Sequence, residues 1–139
     1  MEGQHAVRIA LIHYAAPPVV GGVESVLGHH ARLMTDAGHV VTVVAGRGER
    51  VDPRIDLALV PLIDSRHPRV LLAKASLDRG VVSDGFADLT DDIAAELQRV
   101  LIDTEVVIAH NVCSLHKNLA LTAAIKRMHC TGSVGRLIL

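Results

Sequence analysis

The chain has 139 residues, half of them hydrophobic, and a formal net charge of −1. This is enough for one domain, residues 1–139, with a sizeable core, and the near-neutral balance argues against nucleic acid as a partner. Tyr14 and Phe86 are the only aromatic residues, so the core must be aliphatic and no stacking platform for bases or flat sugar faces can be built.

Met1 to His5 is a polar lead-in. Val7 to His13 follows as a nearly continuous apolar run, the pattern of a strand covered on both faces and therefore flanked by parallel neighbours. Ala15 to Gly22 is a Pro/Gly-rich turn. Val23 to Ala37 then places Val23, Val26, Leu27, Ala31 and Met34 at helical spacing, with Gly38 as a C-terminal stop. His39 to Ala45 reads as a second buried strand, which completes a βαβ unit. Gly46 to Pro53 is a charged loop, and Leu57 to Ile63 is a third strand in which Pro61 argues for an edge position. No helix fits between the second and third strands, so their relative direction stays open.

Asp64 to Gly85 is harder to read. It spreads Arg66, His67, Arg69, Lys74 and Arg79 around the apolar block Val70 to Leu72. This is either a basic helix that contacts an acceptor or a membrane, or an ordinary surface helix with a solvated cationic face. A helix is expected from Leu89, with Thr90, Asp91 and Asp92 as cap and acidic first turn and Ile93, Ala94, Leu97, Val100 and Leu101 as its apolar stripe. Glu105 to His110 reads as a fourth strand and Asn111 to Ser114 as a polar turn. A helix is expected over Leu115 to Met128, a turn at Thr131 to Ser133, and a fifth strand of buried type from Val134 to Leu139. The whole predicts an α/β fold, a Rossmann-like open and mostly parallel sheet with helices on both faces. A sheet left open behind Leu-Ile-Leu suggests an incomplete carboxyl-terminal end.

Two cysteines without a Cys-x-x-Cys pair fit a reducing compartment. The start has no basic segment followed by an apolar run, and no stretch of ~18 apolar residues occurs, so a cytoplasmic setting is expected.

The candidate site lies where the first strand meets the first helix. A strand feeding a helix through Gly21 and Gly22 aims free backbone N–H groups and the positive end of the helix dipole at whatever sits above the strand's carboxyl edge, which is an anion site, most often for phosphate. The adjacent glycines are not the Gly-x-Gly-x-x-Gly dinucleotide fingerprint. A bland reading of the turn, a tight bend before a helix, is also available. His110 ends the fourth strand beside this turn, where open α/β sheets bind ligands. His13 ends the first strand and serves the loop as a cap or faces the cleft. Glu24, in the first helical turn, compensates the dipole or contacts ligand, and Asn111 is a further cleft position. No metal is expected: His110, Cys113 and His116 straddle a strand end and a helix start, and His29 and His30 point to different sides of their helix. Cys113 lacks the orienting carboxylate that a nucleophilic Cys–His pair would need.

The stretch VRIALIHYAAPPVVGGVESVLGHHARLMTDAGHVVTVVAG resembles the amino-terminal start of family 4 glycosyltransferases. There a first strand, a loop ending Gly-Gly-x-Glu, a helix and a Gly-His-x-Val-x-Val strand follow one another. Gly21, Gly22, Glu24, Gly38, His39, Val41 and Val43 fill that pattern. EVVIAHNVCSLHKNLALTAAIKR is similar to the family's fourth strand, which ends in His before a loop and helix. The resemblance implies the first of two Rossmann-like domains of a GT-B fold and a retaining transfer of sugar from a nucleotide-sugar donor to a glycan, lipid or small-molecule acceptor. No cofactor is implied beyond the donor as substrate. It further implies that Gly21 and Gly22 approach the donor diphosphate and that His110 places the donor sugar. A carboxyl-terminal partner domain and peripheral contact with the inner face of a membrane belong to the same expectation. Two other readings stand beside it. One is an NADP-type domain of an oxidoreductase, in which Arg47 of Gly46-Arg47-Gly48 would hold a 2′-phosphate. The other is a non-catalytic α/β module that binds a sugar phosphate.

Overall fold

The computed structural model describes Gly3 and residues 5–139. Five strands, β1 (Arg8–His13), β2 (Val40–Ala45), β3 (Asp56–Leu59), β4 (Val106–Ala109) and β5 (Arg136–Ile138), form one sheet in the order β3-β2-β1-β4-β5. Every pairing is parallel. The helices are α1 (Gly22–Asp36), α2 (Pro68–Asp78), α3 (Asp84–Val100) and α4 (Leu119–Cys130). The expected Rossmann-like open sheet with helices on both faces is what forms. Among the described residues no helix is long and apolar enough to cross a membrane.

Strand alternation sorts the core into two layers. Ile9 and Leu11 of β1 face α1, packing with Leu27, Ala31, Val41 and Val43. Ala10 and Ile12 face the other way, onto the layer of Ile93, Leu97, Leu121 and Ile125 from α3 and α4. Apolar residues at every step from Ile9 to Ile12 are therefore required by the central place of β1, since each face meets a helix layer. Going from β1 to its neighbours, the chain leaves in opposite directions toward β2 and β4. This makes a topological switch point at the carboxyl edge between β1 and β4, the position where open α/β sheets take ligands.

α1 ends in a complete Schellman motif. Gly38, at φ 91°, donates its N–H to the Thr35 carbonyl, and the His39 N–H reaches the Met34 carbonyl. The expected stop at Gly38 is thus carried by a positive φ that a side chain would strain.

Several boundaries differ from expectation, each for a local reason. The third strand is Asp56–Leu59, and Pro61–Ile63 is a short 3-10 turn. Pro61 has no N–H for a ladder, so pairing stops at the bond from the Val60 N–H to the Ala45 carbonyl. β3 is parallel to β2 and lies at the edge. Its helix-free return is held by arginines instead: Arg50 Nε donates to the Ile55 carbonyl at 2.9 Å, and Arg54 pairs with Asp36 at 2.7 Å and with Asp52 at 2.8 Å.

The unreadable stretch contains α2. Two of its cations meet carboxylates, Arg69 with Asp92 and Lys74 with Asp78, both at 2.7 Å. α3 begins at Asp84 after Ser83 rather than at Leu89. Thr90 is buried and donates to the Phe86 carbonyl at 2.9 Å, so it occupies the helix interior. α4 begins at Leu119 rather than Leu115 because Asn118, 2% exposed, is its N-cap. The Asn118 side chain accepts from the Leu121 N–H and donates to the Leu62 and Ile63 carbonyls, tying α4 to the 3-10 turn. β5 covers only Arg136–Ile138 and is half exposed at the sheet edge, so it is an edge strand and not one of buried type.

Candidate functional site at the carboxyl edge of the sheet

The loops that leave β1 and β2 are bonded to one another. The Ala16 N–H donates to the Arg47 carbonyl at 2.9 Å and the Glu49 N–H to the Pro17 carbonyl at 3.0 Å. Between them, the loop before α2 and the loop before α4 lies a cavity of about 340 Å³. Its lining includes His13, the Gly21–Gly22 turn and Glu24 from one side, and Arg47, Arg66 and Lys117 from the other. The volume falls at the lower end of small-molecule sites, which run ~300–1,000 Å³. Arg47, Arg66 and Lys117 share this lining with the carboxylate of Glu24, and α1 presents its amino terminus without a side-chain cap. Its first N–H groups and dipole therefore favour an anion in this space.

Each expected site residue has a definite position. Gly21 and Gly22 both line the cavity. At Gly22 a Cβ would meet nothing, whereas at Gly21 it would fall inside the Glu24 carboxylate, which folds back over the turn. The φ of Gly21, 173°, is extended backbone open to any residue, so its lack of a side chain serves space rather than conformation.

His13 is 4% exposed and points to the α1 side, as the alternation Ile9, Leu11, His13 requires. Its Nδ1 donates to the His110 carbonyl at 2.9 Å, since a carbonyl can only accept. That fixes Nε2 as the nitrogen facing Glu24, with Oε1 at 3.6 Å. His13 thus does more than cap the loop, because it joins the ends of β1 and β4 to the first turn of α1.

His110 follows the same parity, after Val106 and Ile108. Its ring also turns to the α1 side, 5.4 Å from the ring of His30. It is half buried and does not line the cavity, and its Nε2 is buried without a hydrogen-bond partner. Asn111 is exposed with φ 58°, a left-handed conformation that Asn tolerates, and its carbonyl accepts from Ser114 and Leu115. It shapes the turn after β4 and lies outside the cavity lining.

Burial, then the neighbouring charges of His30 and His13, push the pKa of His110 below its ordinary value of 6.5. As pH falls through 6.5 the unfolded chain takes up this proton before the folded one. Stability is therefore lost on acidification until the depressed folded pKa is reached, where the loss levels off. Melting curves between about pH 7.5 and 5 should fall more steeply for the native chain than for His110→Gln, and parallel curves would mean that His110 carries no such penalty.

Arg47, Arg66 and Lys117 are the contributors that the glycine pattern alone does not reveal. The usable signal is position, because each follows the carboxyl end of a strand, β2, β3 or β4 respectively, in a loop that opens on the same edge. Arg47 Nε lies 3.2 Å from Asp64 Oδ2, so part of its charge is answered locally. Burial raises the pKa of the Cys113 thiol, which is the wrong direction for a nucleophile. Among the described residues no three His, Cys, Asp or Glu side chains converge on a metal position.

No protein-family model matches the sequence, and no curated protein matches it.

Proposed function

We propose that this chain binds the diphosphate of a nucleotide-sugar donor in the carboxyl-edge cavity. In this reading it serves as the acceptor-side amino-terminal domain of a retaining, family 4-like glycosyltransferase of GT-B architecture. The observation that carries it is the meeting of the Gly21–Gly22 turn, at the uncapped start of α1, with Arg47, Arg66 and Lys117 around one cavity. Backbone donors and a helix dipole supply the phosphate seat, and the three cations surround the charge that leaves with a nucleoside diphosphate. The likeness of both ends of the chain to the family's strand–Gly-Gly–helix and strand–His–loop blocks supports the same reading. His110 is assigned the donor sugar on that likeness alone, since its ring faces His30 and stands outside the cavity lining. A second domain would close the other wall of the cleft and exclude water. The acceptor is a glycan, a lipid or a small molecule. The setting is cytoplasmic, including peripheral contact with the inner face of a membrane through α2, where Leu71 and Leu72 are exposed.

Thermal-shift titration with pyrophosphate, a panel of nucleotide sugars, and NADP tests this. The expected result is stabilisation by pyrophosphate and by at least one nucleotide sugar, with none by NADP. Stabilisation by NADP alone would move the assignment to the oxidoreductase reading, in which Arg47 holds the 2′-phosphate.

A further inference from the structure

We infer that the carboxylate of Glu24 is a built-in stand-in for the donor phosphate, occupying its seat on the Gly21 turn and leaving when the donor arrives. This rests on the assignment of the cavity as a diphosphate site. Three observations carry it. The first is the space over Gly21: the place a Cβ would take is filled by Glu24, so the glycine that leaves room for an anion already holds one. Glu24 is the third residue of α1, and its carboxylate sits against the otherwise uncapped helix start, where a negative charge is stabilised by the dipole.

The second observation is His13. It is nine-tenths buried and lines the cavity, yet its Nε2 reaches only Glu24, at 3.6 Å, beyond a good hydrogen bond. Because Nδ1 is committed to the His110 carbonyl, Nε2 is the atom that His13 turns toward the cavity, and it has no hydrogen bond of its own at that distance. The same imidazole edge is placed to meet a phosphate oxygen once the carboxylate is displaced.

The third is the charge of the surrounding wall. Asp64 answers Arg47 at 3.2 Å, and Arg66 and Lys117 together exceed the single carboxylate of Glu24 within the lining, so the cavity wall keeps an excess of positive charge. A diphosphate answers that excess, and one carboxylate does not. Glu24 in its observed position therefore competes with the donor, and its displacement is the step by which the empty site becomes the loaded one.

The test compares the native chain with Glu24→Gln by isothermal titration with pyrophosphate, with the backbone amides of Gly21 and Gly22 followed by NMR. Gln has the shape of Glu without its charge, so the space over Gly21 stays filled, and a melting curve verifies that the helix is preserved. Glu24→Gln is expected to bind pyrophosphate about fivefold more tightly, a ratio within what one charge at a helix start supplies. Pyrophosphate should move the two glycine amides in both proteins, and at lower concentration in Glu24→Gln. Equal or weaker binding by Glu24→Gln would overturn the stand-in role while leaving the diphosphate assignment in place. No binding by either protein would overturn both.

Discussion

Gly22→Val is expected to lower pyrophosphate affinity by about tenfold or more while shifting the melting temperature by no more than about 2 °C. The asymmetry follows from where the new side chain would go. A Cβ at Gly22 meets no atom of the protein, so the fold has no reason to object. Gly22 lines the cavity, however, and two methyl groups there stand between an entering phosphate and the first N–H groups of α1. Hydrogen bonds to a charged group are worth ~1.5–3 kcal/mol each, so blocking one is enough for a tenfold loss. Titration calorimetry beside a circular-dichroism melt decides it. Unchanged affinity with an intact fold would remove the turn from the site.

Gly22 and Gly21 also show how far the residues speak for themselves. Adjacent glycines before a helical pattern were sufficient to place the turn, the helix and the anion-favouring end, because backbone geometry and the helix dipole are properties of local sequence. What occupies the space above Gly21 was not legible. It depends on a carboxylate three residues on folding back toward a buried imidazole, and that imidazole is fixed by a carbonyl 97 positions away. The pairing of His13 with His110 was closer to the surface of the sequence. Both end apolar strands on the parity that faces α1, so the two become neighbours once β1 and β4 are known to be adjacent. Adjacency itself is tertiary information. His110 was expected in the cleft, and the same parity is what turns its ring toward His30 instead of into the cavity.

Strands and helices with strong periodicity were readable for a similar reason, and the weak points had physical causes. α2 was obscured because its cations interrupt the apolar pattern and find their partners in Asp78 and in Asp92, one of which lies on another helix. The start of α3 reads five residues late in the sequence because Thr90, Asp91 and Asp92 imitate a cap, whereas the chain already turns helical at Asp84, after Ser83. The direction of β3 could not be read. A parallel neighbour ordinarily returns through a helix, and here a loop held by Arg50 and Arg54 does that work.

That loop begins at Gly46, and Gly46→Ala is expected to be strongly destabilising. A Cβ at this position would overlap the backbone N and Cα of Asp64, atoms that no rotamer change can move aside. The close approach has a function in the fold, since it brings the end of β2 against the segment before α2. There the Gly46 N–H bonds to the Tyr14 carbonyl at 3.0 Å and Arg47 reaches Asp64. Separating the two backbones would disturb three walls of the cavity together, those carrying Tyr14, Arg47 and Arg66. Overpacking of this kind costs ~1–3 kcal/mol and sometimes more, and with backbone as the obstacle the upper end applies, or roughly a 10 °C lower melting temperature for a chain of this size. Gly85→Ala is the control. Its Cβ has room, at 3.7 Å from the Ser83 hydroxyl, and it lies in the first turn of α3, so it should leave the melt unchanged or raise it slightly. Thermal melts of the three proteins, with pyrophosphate titrations on those that fold, make the comparison. Equal stability of Gly46→Ala and the native chain would mean that the ends of β2 and β3 are not pressed together as described, and the cavity between their loops would have to be redrawn.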